Sequence, residues 1–240
     1  MTNEDFSKRN LKMATWLTTF SYWPLIQAFI ITIILLPLSH LLINYLPLYL
    51  FNYRLKGSLS GYLLFITLFI PLSIIFLLIS DFNHRVILLF FVWFSVLLAF
   101  IDHHTGYLPD LLVYPLIVLA LLFHAMQSNE QLLLAIYGAL IGYLIFWFIY
   151  GFFKLAIKRR GLAQGDIKLV AAYGAWLGIY ILPYLMLLSA CLGLLNYVFL
   201  WIKIRYKPDK IAFGPALASA GISLMLIKYF KEDWIIKIIL

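Results

Sequence analysis

Long apolar runs fill most of the chain, and short polar gaps punctuate them. The runs cover residues 20–51, 59–80, 86–101, 111–126, 132–153, 167–180, 181–204 and 213–230, with a shorter apolar tail at 234–240. None alternates as a membrane-barrel strand does. Most approach the ~20 residues that a helix needs to cross a hydrocarbon core. The pattern predicts an all-α, polytopic membrane protein with about eight transmembrane helices. Pro24, Pro37 and Pro47 interrupt the first run. It reads either as a hairpin or, the reading favoured here, as one long span. No repeat or low-complexity linker is visible. The organisation expected is a polar N-terminal segment with the first membrane region in 1–58, followed by one helical bundle in 59–240.

Composition agrees. Of 240 residues, 65% are hydrophobic and 12% charged, against roughly 45–50% and 25% in soluble domains. That much apolar surface excludes a soluble domain, and the composition is the reverse of a disordered one. The net charge of +8 does not point to nucleic acid, because the basic residues gather in alternate gaps. Arg54 and Lys56 share one gap. Lys154, Lys158, Arg159, Arg160 and Lys168 flank another, and Lys203, Arg205, Lys207 and Lys210 a third. The partner implied is the lipid bilayer, with these gaps on the cytoplasmic side. Parity puts the gap at 103–110 there as well, although it has no Lys or Arg. Lys8, Arg9 and Lys12 suggest a cytoplasmic N-terminus, which a single first span opposes. No cleavable signal peptide is evident in the polar stretch from Met1 to Lys12. The single cysteine, Cys191, excludes an intramolecular disulfide and a Cys-rich zinc site. Within its apolar run it reads as a buried packing residue.

The chain has ten acidic residues. Glu4, Asp5, Asp81, Glu130, Asp209, Glu232 and Asp233 lie near the ends or in short gaps and read as solvated. Asp102, Asp110 and Asp166 differ. Asp102 follows an unbroken apolar run, and Asp166 immediately precedes one. A carboxylate at a helix end in lipid is costly and marks function when it faces a protein interior. Both fall on the cytoplasmic side, so they form a candidate acid–base dyad in which like charges keep one member protonated. The plainer alternative is a helix N-cap or ion pair, with Asp166 capping its helix and Lys168 neutralising it. Other chemistry is thin. His103 and His104 are adjacent, about 100° apart on a helix, and do not form an i, i+4 metal pair. His40 and His124 read as packed and hydrogen-bonded. There is no His-Glu-x-x-His, no Gly-x-Ser-x-Gly and no phosphate loop, so neither metal nor cofactor is expected. Gly138, Gly142, Gly174 and Gly178 have the spacing of helix-packing sites, and the Trp and Tyr residues mostly suit interfacial belts.

Two of these contexts resemble known motifs. The run from Asp102 through Thr105, Leu108 and Pro109 to Asp110 is similar to the Asp-x-x-Thr-x-x-(Ile/Leu)-Pro-Asp motif of the type IV prepilin peptidases. Ala163-Gln164-Gly165-Asp166-Ile167-Lys168-Leu169 resembles their Gly-x-Gly-Asp-x-Lys-Leu motif. Ala175-Trp176-Leu177-Gly178 and Phe213-Gly214-Pro215 also look like the family. The likeness covers residues 59–230.

The resemblance implies an aspartic membrane endopeptidase with Asp102 and Asp166 as its catalytic pair. Prepilin or pseudopilin precursors of a type IV pilus or type II secretion system would be its substrates. It would cut after a Gly that ends a basic leader, at the cytoplasmic face of a bacterial inner membrane. Gly165 is then expected to permit a tight turn, Lys168 to stabilise Asp166 or bind lipid phosphate, and Pro109 with Asp110 to shape a turn and cap the next helix. Ala163 replaces the first Gly of the second motif, and His104 stands where many relatives carry an acid. The segment with two Cys-x-x-Cys pairs, associated in many relatives with N-methylation, has no counterpart in the short gap 52–58. Cleavage without methylation is expected. Two rivals remain: a presenilin-like intramembrane protease, whose Pro-Ala-Leu motif Pro215-Ala216-Leu217 spells, and a proton-coupled transporter or assembly subunit.

Overall fold

A computed structural model describes residues 23–51, 61–78, 82–156, 163–204 and 212–239. Among them the structure is helical throughout, in eight α-helices: α1 (Trp23–Phe51), α2 (Gly61–Leu78), α3 (Phe82–Thr105), α4 (Asp110–Gln127), α5 (Asn129–Ala156), α6 (Gln164–Leu177), α7 (Leu182–Ile204) and α8 (Gly214–Ile239). A 3₁₀ turn, Ile179–Ile181, precedes α7. Within the described residues, five stretches are long and apolar enough to cross a membrane: Pro24–Ile43, His84–Thr105, Asp110–Gln127, Asn129–Leu155 and Ile179–Ile202. The protein is an all-α membrane protein.

Several expectations change in detail. The first run is one continuous helix through Pro37 and Pro47, as the single-span reading requires. α6 has 14 residues and so rises only ~21 Å, short of the ~30 Å hydrocarbon core. It need not match the bilayer, because α4, α5 and α8 pack around it and every side chain from Leu169 to Leu177 is buried. The apolar tail that begins at Trp234 is not separate, since α8 continues to Ile239. Cys191 is exposed, not buried, and faces outward from α7. His40 is also exposed on α1, whereas His124 is buried. The N-terminal Lys8, Arg9 and Lys12, and most of the basic gap residues used for orientation, lie outside the described residues.

The centre of the bundle is the pairing of α6 with α4 and α5. Gly138 on α5 and Gly174 on α6 meet backbone to backbone, with no room for a Cβ on either. Gly142 packs against Val170 and Leu182. These are the close helix contacts that small residues allow in lipid, where packing must replace the hydrophobic effect between helices. Gly178 does something else. At φ +82 it ends α6, and its N–H donates to the Gly174 carbonyl over 2.9 Å. The α4–α6 seam is held at its far end by polar groups. Trp176 Nε1 donates to the Leu116 carbonyl at 2.9 Å, and His124 Nε2 lies 3.2 Å from the Trp176 carbonyl. Trp176 and Tyr173 are therefore core residues, not members of an interfacial belt.

Candidate active site

Four helix ends meet at one end of the bundle: the C-terminus of α3 and the N-termini of α4, α6 and α8. Asp102 lies in the last turn of α3, because that helix runs one turn past the apolar stretch. The Gly106 N–H donates to the Asp102 carbonyl at 2.7 Å, and Gly106 takes φ +65. This is the left-handed C-terminal stop that glycine adopts without steric cost. Thr105 fixes the turn that follows. Its Oγ1 donates to the Ile101 carbonyl at 2.6 Å and accepts the Tyr107 N–H at 3.1 Å. Pro109 then starts α4, with φ −72 and ψ 127. Its carbonyl accepts the Leu112 N–H at 3.0 Å.

Asp102 is 3% exposed and Asp166 4%, and the helices that carry them, α3 and α6, both pack against α8. The structure thus brings the two carboxyl groups of the sequence analysis into one buried site, each with a different set of partners. Asp102 Oδ2 accepts the Gly214 N–H of α8 at 2.8 Å. Asp166 is not an N-cap. Ala163 holds that position, and Asp166 is the third helical residue, reaching back with Oδ2 to the Ala163 N–H at 3.3 Å. That is the acidic half of a capping box. It employs one oxygen only. Asp166 Oδ1 is buried without a hydrogen-bond partner, an arrangement that native proteins seldom tolerate without a purpose.

Lys168, Asp110 and Gly165 make contacts that the sequence reading did not foresee. Lys168 does not pair with Asp166. Its Nζ donates to both Asp110 oxygens at 2.8 Å and lies 5.6 Å from the centre of the Tyr114 ring. Asp110 is therefore not a cap either; it is the first residue of α4 and forms no side-chain cap. Gly165 lies inside α6, not in a turn. A Cβ there would come within 2.8 Å of Leu108 Cβ, so its missing side chain lets the 106–109 loop rest on α6. Leu108 is 3% exposed. Its contact with Gly165 was legible in the sequence only as an apolar residue inside a polar gap. His103 and His104 are exposed, their rings edge to face at 5.2 Å. Among the described residues no group of three His, Cys, Asp or Glu side chains is placed to hold a metal ion.

A multi-helix membrane bundle with two buried carboxyl groups on separate helices defines the class. Residues 89–198, the segment that carries both aspartates, match the type IV leader peptidase family. No curated protein and no solved structure matches the chain.

Proposed function

We propose that the chain is an aspartic endopeptidase that removes the basic leader from type IV prepilin-like or pseudopilin precursors. It would act at the cytoplasmic face of a bacterial inner membrane, with Asp102 and Asp166 as its catalytic pair. The observation that carries this reading is the asymmetry of the buried pair. One oxygen of Asp102 is held by a backbone N–H, while one oxygen of Asp166 is buried and unused. Two carboxylates within reach of each other in a poorly solvated site share a proton. The ionised member takes a proton from water as the water oxygen attacks the scissile carbonyl. The protonated member donates its proton to the carbonyl oxygen and regains one from the diol as it collapses, while the member that took the water proton passes it to the leaving nitrogen. The products are a leader with a new carboxylate and a mature chain with a free amine.

The placement suits such a substrate. A basic leader stays near anionic headgroups, and the hydrophobic helix that follows the cut stays in the bilayer. The match of residues 89–198 to the type IV leader peptidase family supports a prepilin-type substrate over a presenilin-type one. Co-expression with a candidate prepilin tests the proposal, with leader loss read on a gel. Release of the leader at the Gly boundary is expected. An uncut precursor beside normally accumulated protein overturns it.

A further inference from the structure

α8 begins in an unusual way. Phe213 is its N-cap, with its carbonyl accepting the Leu217 N–H at 3.0 Å. Gly214 is the first helical residue and Pro215 the second. The first N–H groups of a helix have no partner inside it. Pro215 has no N–H to satisfy, and the Gly214 N–H is taken by Asp102, a residue 112 positions away, at 2.8 Å. The approach is close enough to exclude any side chain. A Cβ on Gly214 would lie 2.6 Å from Asp102 Oδ2 and 2.9 Å from its Cβ and Cγ. Gly214 does not have the positive φ of Gly106 and Gly178, so backbone conformation does not demand glycine there. The contact with Asp102 does. Gly214 also lies outside the segment 89–198 that matches the family.

We infer that Gly214 is a positioning residue for the cleavage reaction. Its N–H holds Asp102 Oδ2 at the positive end of α8, its bare Cα lets the carboxyl seat there, and the other Asp102 oxygen is thereby turned to the water that attacks. The inference rests on the peptidase reading for its consequence, but the contact itself can be tested without activity. The helix dipole and the N–H both favour a negative group at this position. They also fix the carboxyl against rotation, which matters because an error of ~1 Å in a reacting group can cost about a hundredfold in rate.

The experiment uses the purified full chain in detergent with a prepilin substrate. Gly214→Ala is expected to lower kcat about a hundredfold while KM stays within about threefold, since the substrate is not touched. Gly193→Ala is the control. Its Cβ would meet the ring of Phe213, next to Gly214, at 3.1 Å and does not meet Asp102, so kcat should stay near wild type. Thermal unfolding provides the readout independent of activity. Gly214→Ala should lower Tm in the wild-type background and have no such effect in an Asp102→Gly background, where the obstructed side chain is gone. If Gly214→Ala alone does not accumulate, the double variant should. A kcat within threefold of wild type, a change confined to KM, an equal Tm loss in both backgrounds, or failure of both variants to accumulate each overturns the inference. A wild-type chain that does not cleave, with the Tm coupling intact, overturns the peptidase reading and leaves the Asp102–Gly214 contact standing.

Discussion

Lys168 grips both carboxylate oxygens of Asp110 at 2.8 Å across 58 residues of sequence. The pair joins the N-terminal ends of α4 and α6, and α6 carries Asp166 two residues before Lys168. It is a clasp at the rim of the site. The two side chains are 30% and 45% exposed, so the pair is partly solvated, and pairs of this kind contribute at most ~1 kcal/mol.

Asp110→Asn and Lys168→Met are therefore expected to lower the unfolding free energy in detergent by at most ~1 kcal/mol each. Processing should fall by less than tenfold. The exchanged pair Asp110→Lys with Lys168→Asp should recover most of the loss. A defect in Asp110→Asn as deep as that of Asp102→Asn would place Asp110 among the reacting groups.

Asp102→Asn and Asp166→Asn should each abolish leader removal while the protein still inserts and accumulates. Asn keeps the shape, and at position 102 it still offers an oxygen to the Gly214 N–H, but it cannot take or exchange the proton. Immunoblots of membranes report accumulation, and a prepilin gel shift reports activity. Cleavage within a few-fold of wild type by either variant removes that aspartate from the catalytic pair.

Gly165→Ala presses a methyl group against Leu108 Cβ, which would lie 2.8 Å away. Overpacking of this kind costs ~1–3 kcal/mol, and it should lift the 106–109 loop from α6. Loss of stability measured by thermal unfolding should shrink sharply when Leu108→Gly is also present. An unchanged Gly165→Ala increment in that background would mean the glycine serves some other purpose.

The site should be reached from the cytoplasm. Tyr107 and Gln164 are exposed beside the two aspartates, so single cysteines there should react with a membrane-impermeant thiol reagent in inverted vesicles and not in intact cells. The background needs Cys191→Ser, because Cys191 is exposed. Labelling from outside intact cells would reverse the orientation.

Much of the site was legible in the chain because acids are so costly in lipid. Asp102 and Asp166 stood out as carboxyl groups abutting apolar runs, and the same runs located α3 to α7 to within about a turn. Their partners were not legible, since each lies on another helix. Lys168 sits two residues from Asp166 in sequence, yet the first turn of a helix directs the two side chains differently, and only packing of α4 on α6 shows that Lys168 goes to Asp110. Asp166 looked like an N-cap because its residue type and place before an apolar run fit one. The helix begins a turn earlier, at Gln164, and makes Asp166 the third residue.

The sequence by itself determined that this chain is a helical membrane protein with carboxyl groups at one level. Which apolar faces are core and which meet lipid was decided only by tertiary structure. In a soluble helix the polar face identifies the outside, but here both environments are apolar and hydrophobicity cannot separate them. Trp176 is fully buried while Trp147 is 56% exposed, and nothing in their side chains distinguishes them. Nor could the sequence alone place Gly214 against Asp102, since Phe213-Gly214-Pro215 marks a motif but not its partner 112 residues away.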